Sequence, residues 1–338
     1  MRLGIVGTGA IVKEVLPQLS RWGWKAAALC GTSRSRDAVR TLCRENQIEE
    51  AYFDYAAMLA EARIDTVYIG APNFLHYHFA MQALEAGRHV IVEKPMTSNC
   101  REAEELAALA KKRGLCLFEA VTTVYQPNFA VIKGLLSRIG RIRVVSCNYS
   151  QYSRRYDDFR EGRVLPAFDP EKSGGALMDL NLYNLHYLLG LFGEPRDIKY
   201  HANVERGIDT SGILTLDYGD FQAVSIAAKD CAAPKNYVIQ GTEGYILQDT
   251  SANLCGAVTL HLNDGTEELY DENPSSRLEA EFLSFARQIA SGDRTACYQM
   301  LEHSLKVSRS LTQARLSAGI RFPSDAFMDE KKEYGIKK

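Results

Sequence analysis

No stretch of this sequence is apolar for long enough to cross a membrane, since none approaches the ~18 consecutive apolar residues that a spanning helix needs. The chain also lacks an excess of one charge, because 40 lysines and arginines are set against 42 aspartates and glutamates. A balanced charge gives no attraction to nucleic acid or to anionic lipid. These absences predict that neither nucleic acid nor a membrane is a partner.

Paired cysteine motifs are absent as well. The sequence has 8 cysteines, but no C-x-x-C pair and no Cys/His cluster with the spacing of a zinc site. The N-terminus is apolar for only a few residues, which is too short for a signal peptide. We therefore expect a cytoplasmic protein with reduced thiols and no bound metal.

A nucleotide-binding pattern opens the chain. The apolar run Leu3 to Val6 is followed by G-T-G-A-I-V, a helical pattern and a second apolar run, Ala26 to Cys30. This βαβ arrangement resembles the dinucleotide fingerprint G-x-G-x-x-G/A, in which the glycines allow a tight turn and close approach to a pyrophosphate. Val12 stands at the third glycine position, so the helix should lie slightly further from the sheet. The predicted nucleotide contacts in this turn are Gly7, Thr8, Gly9, Ala10 and Ile11.

The end of the second strand bears on which nicotinamide nucleotide is bound. An NAD enzyme usually has an acidic residue there to bind the ribose. Here the segment from Cys30 has no acid before Asp37 and instead has Ser33 and Arg34. A hydroxyl followed by an arginine suits a 2′-phosphate, which predicts NADP as the preferred cofactor and still allows NAD. The alternative is a solvated turn before the next helix.

A third strand, Thr66 to Ile69, runs into the segment A-P-N-F-L-H. Ligands of open parallel sheets bind at the carboxyl ends of the strands, so Pro72 and Asn73 are predicted to face the nicotinamide half of the cofactor. His76 has two interpretations of equal weight. It is either a ligand contact or a residue at a helix N-terminus that bonds nearby backbone.

The next predicted strand, His89 to Val92, ends in Glu93-Lys94-Pro95. By the same rule, a lysine at this position faces the ligand crevice. Considered alone, the triplet favours an ordinary polar strand exit, since lysine and glutamate are mostly surface residues. The nucleotide-binding pattern before it and the polar set after it favour the ligand crevice. Glu93 and Lys94 are predicted to lie at the cofactor.

The second half of the chain has a different pattern. Hairpin signals such as Asn263-Asp264-Gly265 separate short strand-like runs, which is typical of an antiparallel sheet. The runs are residues 143–150, 201–206, 212–218, 222–229, 236–241, 245–249 and 257–262. The predicted division is a nucleotide-binding domain at 1–120, a substrate and oligomerisation domain at 121–325, and a polar tail at 326–338.

A polar set lies within an otherwise apolar helical segment that follows Gly174-Gly175. Asp179, Tyr183 and His186 are spaced to share one face of an α-helix. Considered singly, each residue favours a purely structural interpretation, as a local cap, a packed phenol or a satisfied core histidine. The face as a whole, together with Lys94, favours function, because such groups are costly to bury without partners.

Tyr152 and Arg154 lie in a polar stretch upstream of that segment. Tyrosine and arginine side chains there suit recognition of a polyol or an anionic sugar. A solvated loop would have the same composition, and the two interpretations are equally weighted.

The order of these motifs resembles one family. It is G-x-G at the N-terminus, A-P-N-x-x-H, then A-L-x-A-G-x-H-V-x-x-E-K-P ending at Pro95, then Glu119-Ala120, and later G-G-x-x-x-D. This order is similar to that of the Gfo/Idh/MocA (glucose–fructose oxidoreductase / inositol dehydrogenase) family. The resemblance implies an N-terminal Rossmann domain with a doubly wound parallel sheet. It also implies a C-terminal domain built on a large, open, mostly antiparallel sheet flanked by helices.

The resemblance also implies residue roles. Lys94 matches the family lysine that contacts the reacting oxygen, Asp179 the family aspartate, and Tyr183 the catalytic His/Tyr position, as in the dihydrodiol dehydrogenase-like branch. Asn181 replaces the usual glycine. Thr122 and Val124 replace the tryptophan and arginine of the dihydrodiol and xylose dehydrogenase-like members, which argues against those substrates. The open sheet implies a homodimer or homotetramer, and the last helix, 299–318, is expected to pack back toward the Rossmann domain.

We therefore expect an NAD(P)-dependent dehydrogenase or reductase acting on a sugar, polyol or related small carbonyl compound. Hydride transfer builds negative charge on oxygen, so Lys94 would stabilise that charge and Tyr183 would donate or accept the proton. Asp179 would orient substrate hydroxyls or tune Lys94, and His186, Tyr152 and Arg154 are the weaker substrate contacts. The alternatives are a non-catalytic nucleotide sensor on the same fold, or a different electrophile such as an imine or bilin.

Overall fold

The computed structural model describes residues 1–326 as two compact units. The N-terminal unit comprises Met1–Ala120 and Glu281–Leu305, and the C-terminal unit comprises Val121–Ala280 and the residues from Lys306 onward. The predicted range 121–325 for the second domain thus includes a segment, Glu281–Leu305, whose contacts belong to the N-terminal unit. The domain limits stay a prediction, and the predicted tail, 326–338, lies outside the described residues except for Ala326.

The N-terminal unit contains a six-stranded sheet. Its strands are β1 (Arg2–Val6), β2 (Lys25–Cys30), β3 (Glu50–Tyr52), β4 (Thr66–Ile69), β5 (His89–Glu93) and β6 (Leu117–Ala120). The helices between them are α1 (Ala10–Val15), α2 (Arg36–Glu45), α3 (Tyr55–Glu61), α4 (His76–Glu85) and α5 (Cys100–Arg113).

All pairs in this sheet are parallel, and the strand order is β3-β2-β1-β4-β5-β6. This is the Rossmann order, in which the reversal between β1 and β4 leaves a crevice at the carboxyl ends of the strands. The central strands are buried on both faces, as their apolar runs predict. The short edge strand β3 was missed by the sequence analysis, because only its neighbour β2 specifies it.

The C-terminal unit begins with α6 (Pro127–Leu135) and β7 (Ile142–Ser150) and continues through α7 (Arg155–Arg160) and α8 (Leu182–Phe192). The remaining strands are β8 (Asp197–Glu205), β9 (Ile208–Asp217), β10 (Gln222–Ala228), β11 (Asn236–Gly241), β12 (Gly244–Gln248), β13 (Val258–Leu262) and β14 (Glu267–Tyr270). Two helices follow in the chain: α9 (Glu279–Ser291), which belongs to the N-terminal unit from Glu281 onward, and α10 (Thr295–Ser317), which belongs to the N-terminal unit as far as Leu305 and to the C-terminal unit after it.

These strands form one eight-stranded sheet of order β14-β13-β12-β11-β7-β10-β9-β8. Only the β7–β10 pair is parallel, and the other pairs are antiparallel, so the predicted fold class is confirmed. Seven of these eight strands match the predicted runs, and β14, whose residues are alternately exposed and half-buried, was not predicted.

One face of this sheet is packed into the core, and the other carries exposed residues. Tyr149, Leu214 and Tyr237 lie on the buried face with Leu177, Leu185 and other core residues of the unit. Val144 and Ile213, on the opposite face, are each 41% exposed. The alternation of side chains along each strand accounts for this difference.

Within residues 1–326, no helix has both the length and the apolar character required to span a bilayer.

Candidate active site

The turn after β1 has the geometry that the glycine fingerprint predicts. Gly7 has a φ of +112°, and a Cβ there would lie 2.4 Å from the carbonyl oxygen of Gly70, so only glycine fits. Gly9 is exposed, and a Cβ there would make only an ordinary van der Waals contact, 3.9 Å from the carbonyl oxygen of Gly70. Exposed backbone without a side chain suits close approach of a pyrophosphate.

Val12 replaces the third glycine of the fingerprint, and a glycine at the end of β4 leaves room for its side chain. A Cβ on Gly70, at the end of β4, would lie 2.6 Å from Val12 Cγ2. Val12 is fully buried, so the glycine that allows close helix–strand packing is on the strand. This compensation was missed by the sequence analysis.

The turn after β2 places the predicted phosphate contacts at the surface. Ser33 and Arg34 are exposed in the short 3₁₀ turn Ser33–Ser35, which the Thr32 backbone N–H closes by donating to Ser35 Oγ at 2.9 Å. Arg36, which the sequence analysis did not select, lies with its guanidinium carbon 4.2 Å from the centroid of the Phe53 ring.

The turn around Lys94 is held by backbone and side-chain contacts. Lys94 is half-buried directly after β5 and joins Pro95 through a cis peptide bond. Glu119 Oε1 accepts a hydrogen bond from the backbone N–H of Met96 at 2.9 Å. On the neighbouring strand, Tyr68 donates its hydroxyl to Glu93 Oε1 at 2.7 Å.

His76 links this turn to the loop after β4. It is fully buried, with Nδ1 2.8 Å from the carbonyl oxygen of Pro95 and Nε2 2.8 Å from that of Ala71. Burial lowers the pKa of His76, and the charge on Lys94 lowers it further, while the two carbonyls and Glu119 oppose the shift. Both ring nitrogens thus contact backbone carbonyls, as expected if His76 bonds nearby backbone rather than a ligand. Pro72 and Asn73 lie in the same loop, exposed and half-buried respectively.

In the C-terminal unit, the loop before Asp179 is tightly constrained. A Cβ at Gly174 would lie 2.6 Å from the carbonyl oxygen of Pro166, and a Cβ at Gly175 would lie 2.1 Å from Asp209 Oδ1. Gly175 also has a φ of +104°. The two glycines therefore let the chain pass between two fixed groups.

Asp209 is one of those groups, and the sequence analysis did not select it. Its carboxylate is buried and accepts hydrogen bonds from the Leu177 backbone N–H at 2.6 Å and from the Tyr200 hydroxyl at 2.7 Å. Burial raises the pKa of Asp209 to about 6. The carboxylate thus holds the start of the helical segment that carries Asp179.

That segment begins with a π-helical turn, Leu177–Asn181, before α8. The α-helical spacing behind the prediction of one shared face does not apply through a π turn. The side chain of Asp179 is 35% exposed, whereas Tyr183 is 7% exposed and His186 is fully buried. Turns of this kind occur often at functional sites.

Asn181, at the family's glycine position, belongs to a buried polar network. Its Oδ1 accepts hydrogen bonds from Asn184 Nδ2 at 2.9 Å and from the hydroxyl of Ser225. The Tyr237 hydroxyl donates to Asn184 Oδ1 at 2.5 Å. These contacts join the π turn to β10 and β11, so the departure from the family pattern has a structural role.

The surroundings of Tyr183 are aromatic and basic. Its ring lies 6.0 Å from that of Tyr149, centroid to centroid, and Lys235 Nζ lies 5.3 Å from the Tyr149 centroid. Tyr152, a weaker predicted contact, is 40% exposed and donates its hydroxyl to Asp157 Oδ1 at 2.6 Å. Arg154 is exposed and precedes α7, a short helix in what was predicted to be a polar loop.

Asp179 has a partner that the sequence analysis missed. Lys229, directly after β10, has a side chain only 3% exposed, and its Nζ lies 2.8 Å from Asp179 Oδ2. A lysine that ends a predicted strand is the signal that selected Lys94, and the same signal was present at Lys229. The roles predicted for the site residues in both units stay predictions.

Comparison with known proteins places the chain in a family. Residues 1–121 match the family described as an oxidoreductase family with an NAD-binding Rossmann fold, and residues 135–247 match the GFO/IDH/MocA C-terminal domain. The chain is 36% identical to the scyllo-inositol 2-dehydrogenase (NADP(+)) IolU of Bacillus subtilis (strain 168), over 87% of this chain and 90% of that one. It is 29% identical to D-xylose 1-dehydrogenase (NADP(+)) 2 of Haloferax volcanii, over 92% and 95% respectively.

Solved structures show the same fold. KijD10, a 3-ketoreductase from Actinomadura kijaniata crystallised with NADP and TDP-benzene, superposes with a TM-score of 0.82 at 23% identity, over 95% of this chain and 98% of that chain. Levoglucosan dehydrogenase in complex with NADH and levoglucosan also has a TM-score of 0.82, at 16% identity, over 94% and 97%. The predicted family, fold and enzyme class are thus confirmed. The chain belongs to the Gfo/Idh/MocA family of NAD(P)-dependent oxidoreductases.

Proposed function

We propose that this protein transfers a hydride between a nicotinamide nucleotide, preferably NADP, and a carbon of a cyclic polyol or sugar. The observation that carries the proposal is the half-buried Lys94 at the carboxyl end of β5, in a turn held by His76 and Glu119. Ligands of Rossmann sheets bind at this edge. The relative named scyllo-inositol 2-dehydrogenase (NADP(+)) supports a cyclic polyol as the substrate.

The N-terminal unit fits a dinucleotide. Gly7 and Gly9 form a turn whose backbone a pyrophosphate can approach, as their missing Cβ atoms allow. Exposed Ser33 and Arg34 suit a 2′-phosphate, since arginine binds phosphate through paired donors. The further contacts that we propose are Thr8, Ala10, Ile11, Pro72, Asn73 and Glu93. We assign His76 a positioning role through its bond to Pro95.

When bound, the nicotinamide supplies or accepts the hydride. The Lys94 ammonium then stabilises negative charge on the substrate oxygen, and the Tyr183 hydroxyl donates a proton to it or accepts one from it. Asp179 accepts a hydrogen bond from a neighbouring substrate hydroxyl. His186, Tyr152 and Arg154 are not needed in this scheme.

A substrate screen tests the proposal. Purified protein would be incubated with NADP and separately with NAD, against scyllo-inositol, myo-inositol, D-xylose and simple diols, while the absorbance of the reduced nicotinamide is followed. We expect turnover of at least one cyclic polyol or sugar, faster with NADP. Tight nucleotide binding without turnover of any compound would contradict the proposal and favour a nucleotide sensor.

We also propose that the exposed face of the eight-stranded sheet mediates self-association into a homodimer or homotetramer. The strand register places Val144, Ile213 and Tyr245 on this one face, and each is about 40% exposed. Gln222 and Gln240 flank Val144 on the two neighbouring strands, so the face combines apolar and polar side chains, as the surfaces of non-obligate interfaces do. Light scattering on an Ile213→Lys variant should show a smaller species than the wild type, and an unchanged mass would contradict the proposal.

A further inference from the structure

Lys229 is buried, whereas Lys94 and Lys235 are only half-buried. Its side chain is 3% exposed, and its Nζ donates to the carbonyl oxygen of Ala167 at 2.8 Å and lies 4.6 Å from the centroid of the Phe168 ring. The third contact is the ion pair with Asp179 Oδ2 at 2.8 Å. A buried ammonium is costly unless it is paired and hydrogen-bonded, so these three contacts together account for its burial.

The two members of the ion pair differ in solvent exposure. The lysine is enclosed by protein, whereas the side chain of Asp179 is 35% exposed. A carboxylate held at one oxygen by a buried cation keeps a fixed orientation, and its exposed surface can accept a hydrogen bond from a ligand hydroxyl.

Lys229 also acts on the loop that leads to Asp179. The carbonyl oxygen of Ala167 that accepts from Lys229 also accepts from the Gly175 backbone N–H at 3.1 Å. One ammonium group therefore contacts both the carboxylate and the segment against which the preceding glycine loop packs.

We propose that Lys229 is a positioning residue that holds the Asp179 carboxylate as a fixed acceptor for a substrate hydroxyl next to the reacting carbon. This inference rests on the proposed function, because it assumes a polyhydroxylated substrate. It assigns Lys229 to substrate affinity and to discrimination against deoxy analogues, and it leaves the hydride step to other residues.

The test compares Lys229→Met and Lys229→Gln with the wild type. Loss of a charge-assisted interaction should raise KM for the polyol about 10- to 100-fold in both variants, with kcat changed by less than about 5-fold and KM for NADP unchanged. Lys229→Gln retains a donor for Ala167, so it separates loss of the charge from loss of that hydrogen bond. Lys133→Met, at an exposed position on α6, is the matched control.

A double mutant distinguishes action through Asp179 from a general effect on the loop. If Lys229 acts through Asp179, the variant Lys229→Met/Asp179→Asn should have the same polyol KM as Asp179→Asn alone. Additive losses, or a Lys229→Gln variant with wild-type KM, would show that Lys229 supports only the 166–168 segment and would overturn the inference.

Calorimetric titration of the polyol into the protein saturated with NADP separates this inference from the proposed function. If the wild type binds the polyol without turnover and Lys229→Gln binds it more than 10-fold less tightly, the proposed catalysis fails and the role of Lys229 stands. Turnover with equal polyol affinity in wild type and variants overturns the role of Lys229 and leaves the proposed function intact. A wild type that neither turns over nor binds any polyol overturns both.

Discussion

Two lysines occupy equivalent positions in the two sheets and have different surroundings. Lys94 directly follows β5 and is half-buried, whereas Lys229 directly follows β10 and has a side chain only 3% exposed. The turn at Lys94 is bonded to residues close in sequence, with Pro95 and His76 only 19 positions apart. Lys229 contacts Ala167, which lies 62 positions earlier.

The difference shows that a lysine at the end of a strand does not by itself indicate a ligand contact. What matters is whether the ammonium remains accessible or is enclosed behind a carboxylate. At Lys229 the accessible group is its partner Asp179. We therefore expect Lys94 to contribute mainly to kcat and Lys229 mainly to KM.

The largest expected effect is that of Lys94→Met. Removal of one electrostatic stabiliser of a developing oxyanion costs about 10²- to 10³-fold in kcat. The measurement is steady-state kinetics on the substrate found in the screen, with Lys112→Met, an exposed residue near the end of α5, as the control. A Lys94→Met variant that lost only polyol affinity would erase the contrast with Lys229.

Tyr183→Phe should lower kcat about 10²-fold, since general acid–base groups contribute roughly 10²- to 10⁴-fold. Phenylalanine retains the ring beside Tyr149 and removes only the hydroxyl. Tyr187→Phe is a matched control, because the Tyr187 hydroxyl is buried without a hydrogen-bond partner in the described part of the chain. Equal kcat in both variants would mean that Tyr183 is a packing residue.

An Asp209→Asn variant tests, through the pH dependence of the unfolding free energy, the role of the carboxylate that bonds the Leu177 backbone N–H at the start of the segment carrying Asp179. The pKa of Asp209 is raised by burial from 3.8 to about 6, so the folded state favours the protonated carboxyl. The resulting stabilisation is present below the unfolded pKa and is lost as the pH rises through about 6. Relative to Asp209→Asn, the wild type should therefore lose roughly 3 kcal/mol of unfolding free energy between about pH 3 and pH 7.

The measurement is denaturant unfolding of both proteins across that pH range. Taking the difference between the two proteins cancels the titration of all other groups. Parallel curves would show that Asp209 does not change its proton affinity on folding and would contradict the prediction.

Arg34→Ala has the smallest expected effect. Loss of one exposed phosphate contact should raise KM for NADP about 10-fold and leave KM for NAD unchanged. Arg40→Ala, an exposed residue of α2, is the control. Equal changes with both nucleotides would show that Arg34 does not read the 2′-phosphate.

Much of the fold was predictable because it depends on local patterns. Apolar runs specify the buried strands of the first sheet, and alternation with hairpin turns specifies the second. The strands that were missed, β3 and β14, are short edge strands with little burial, and their formation depends on the neighbouring strand. The π turn at Leu177–Asn181 was missed for a similar reason, since its contacts to Ser225 and Asp209 come from distant strands.

The sequence by itself determined the nucleotide fold, the turn at Gly7 and the position of Lys94, because the apolar strands, the G-x-G turn and the E-K-P strand exit can each be recognised in a short stretch of the chain. Tertiary structure decided the rest. It placed Gly70 beside Val12, Asp209 beneath the glycine loop and Lys229 against Asp179. Buried polar groups require partners, and only the folded chain selects which distant residue provides each one.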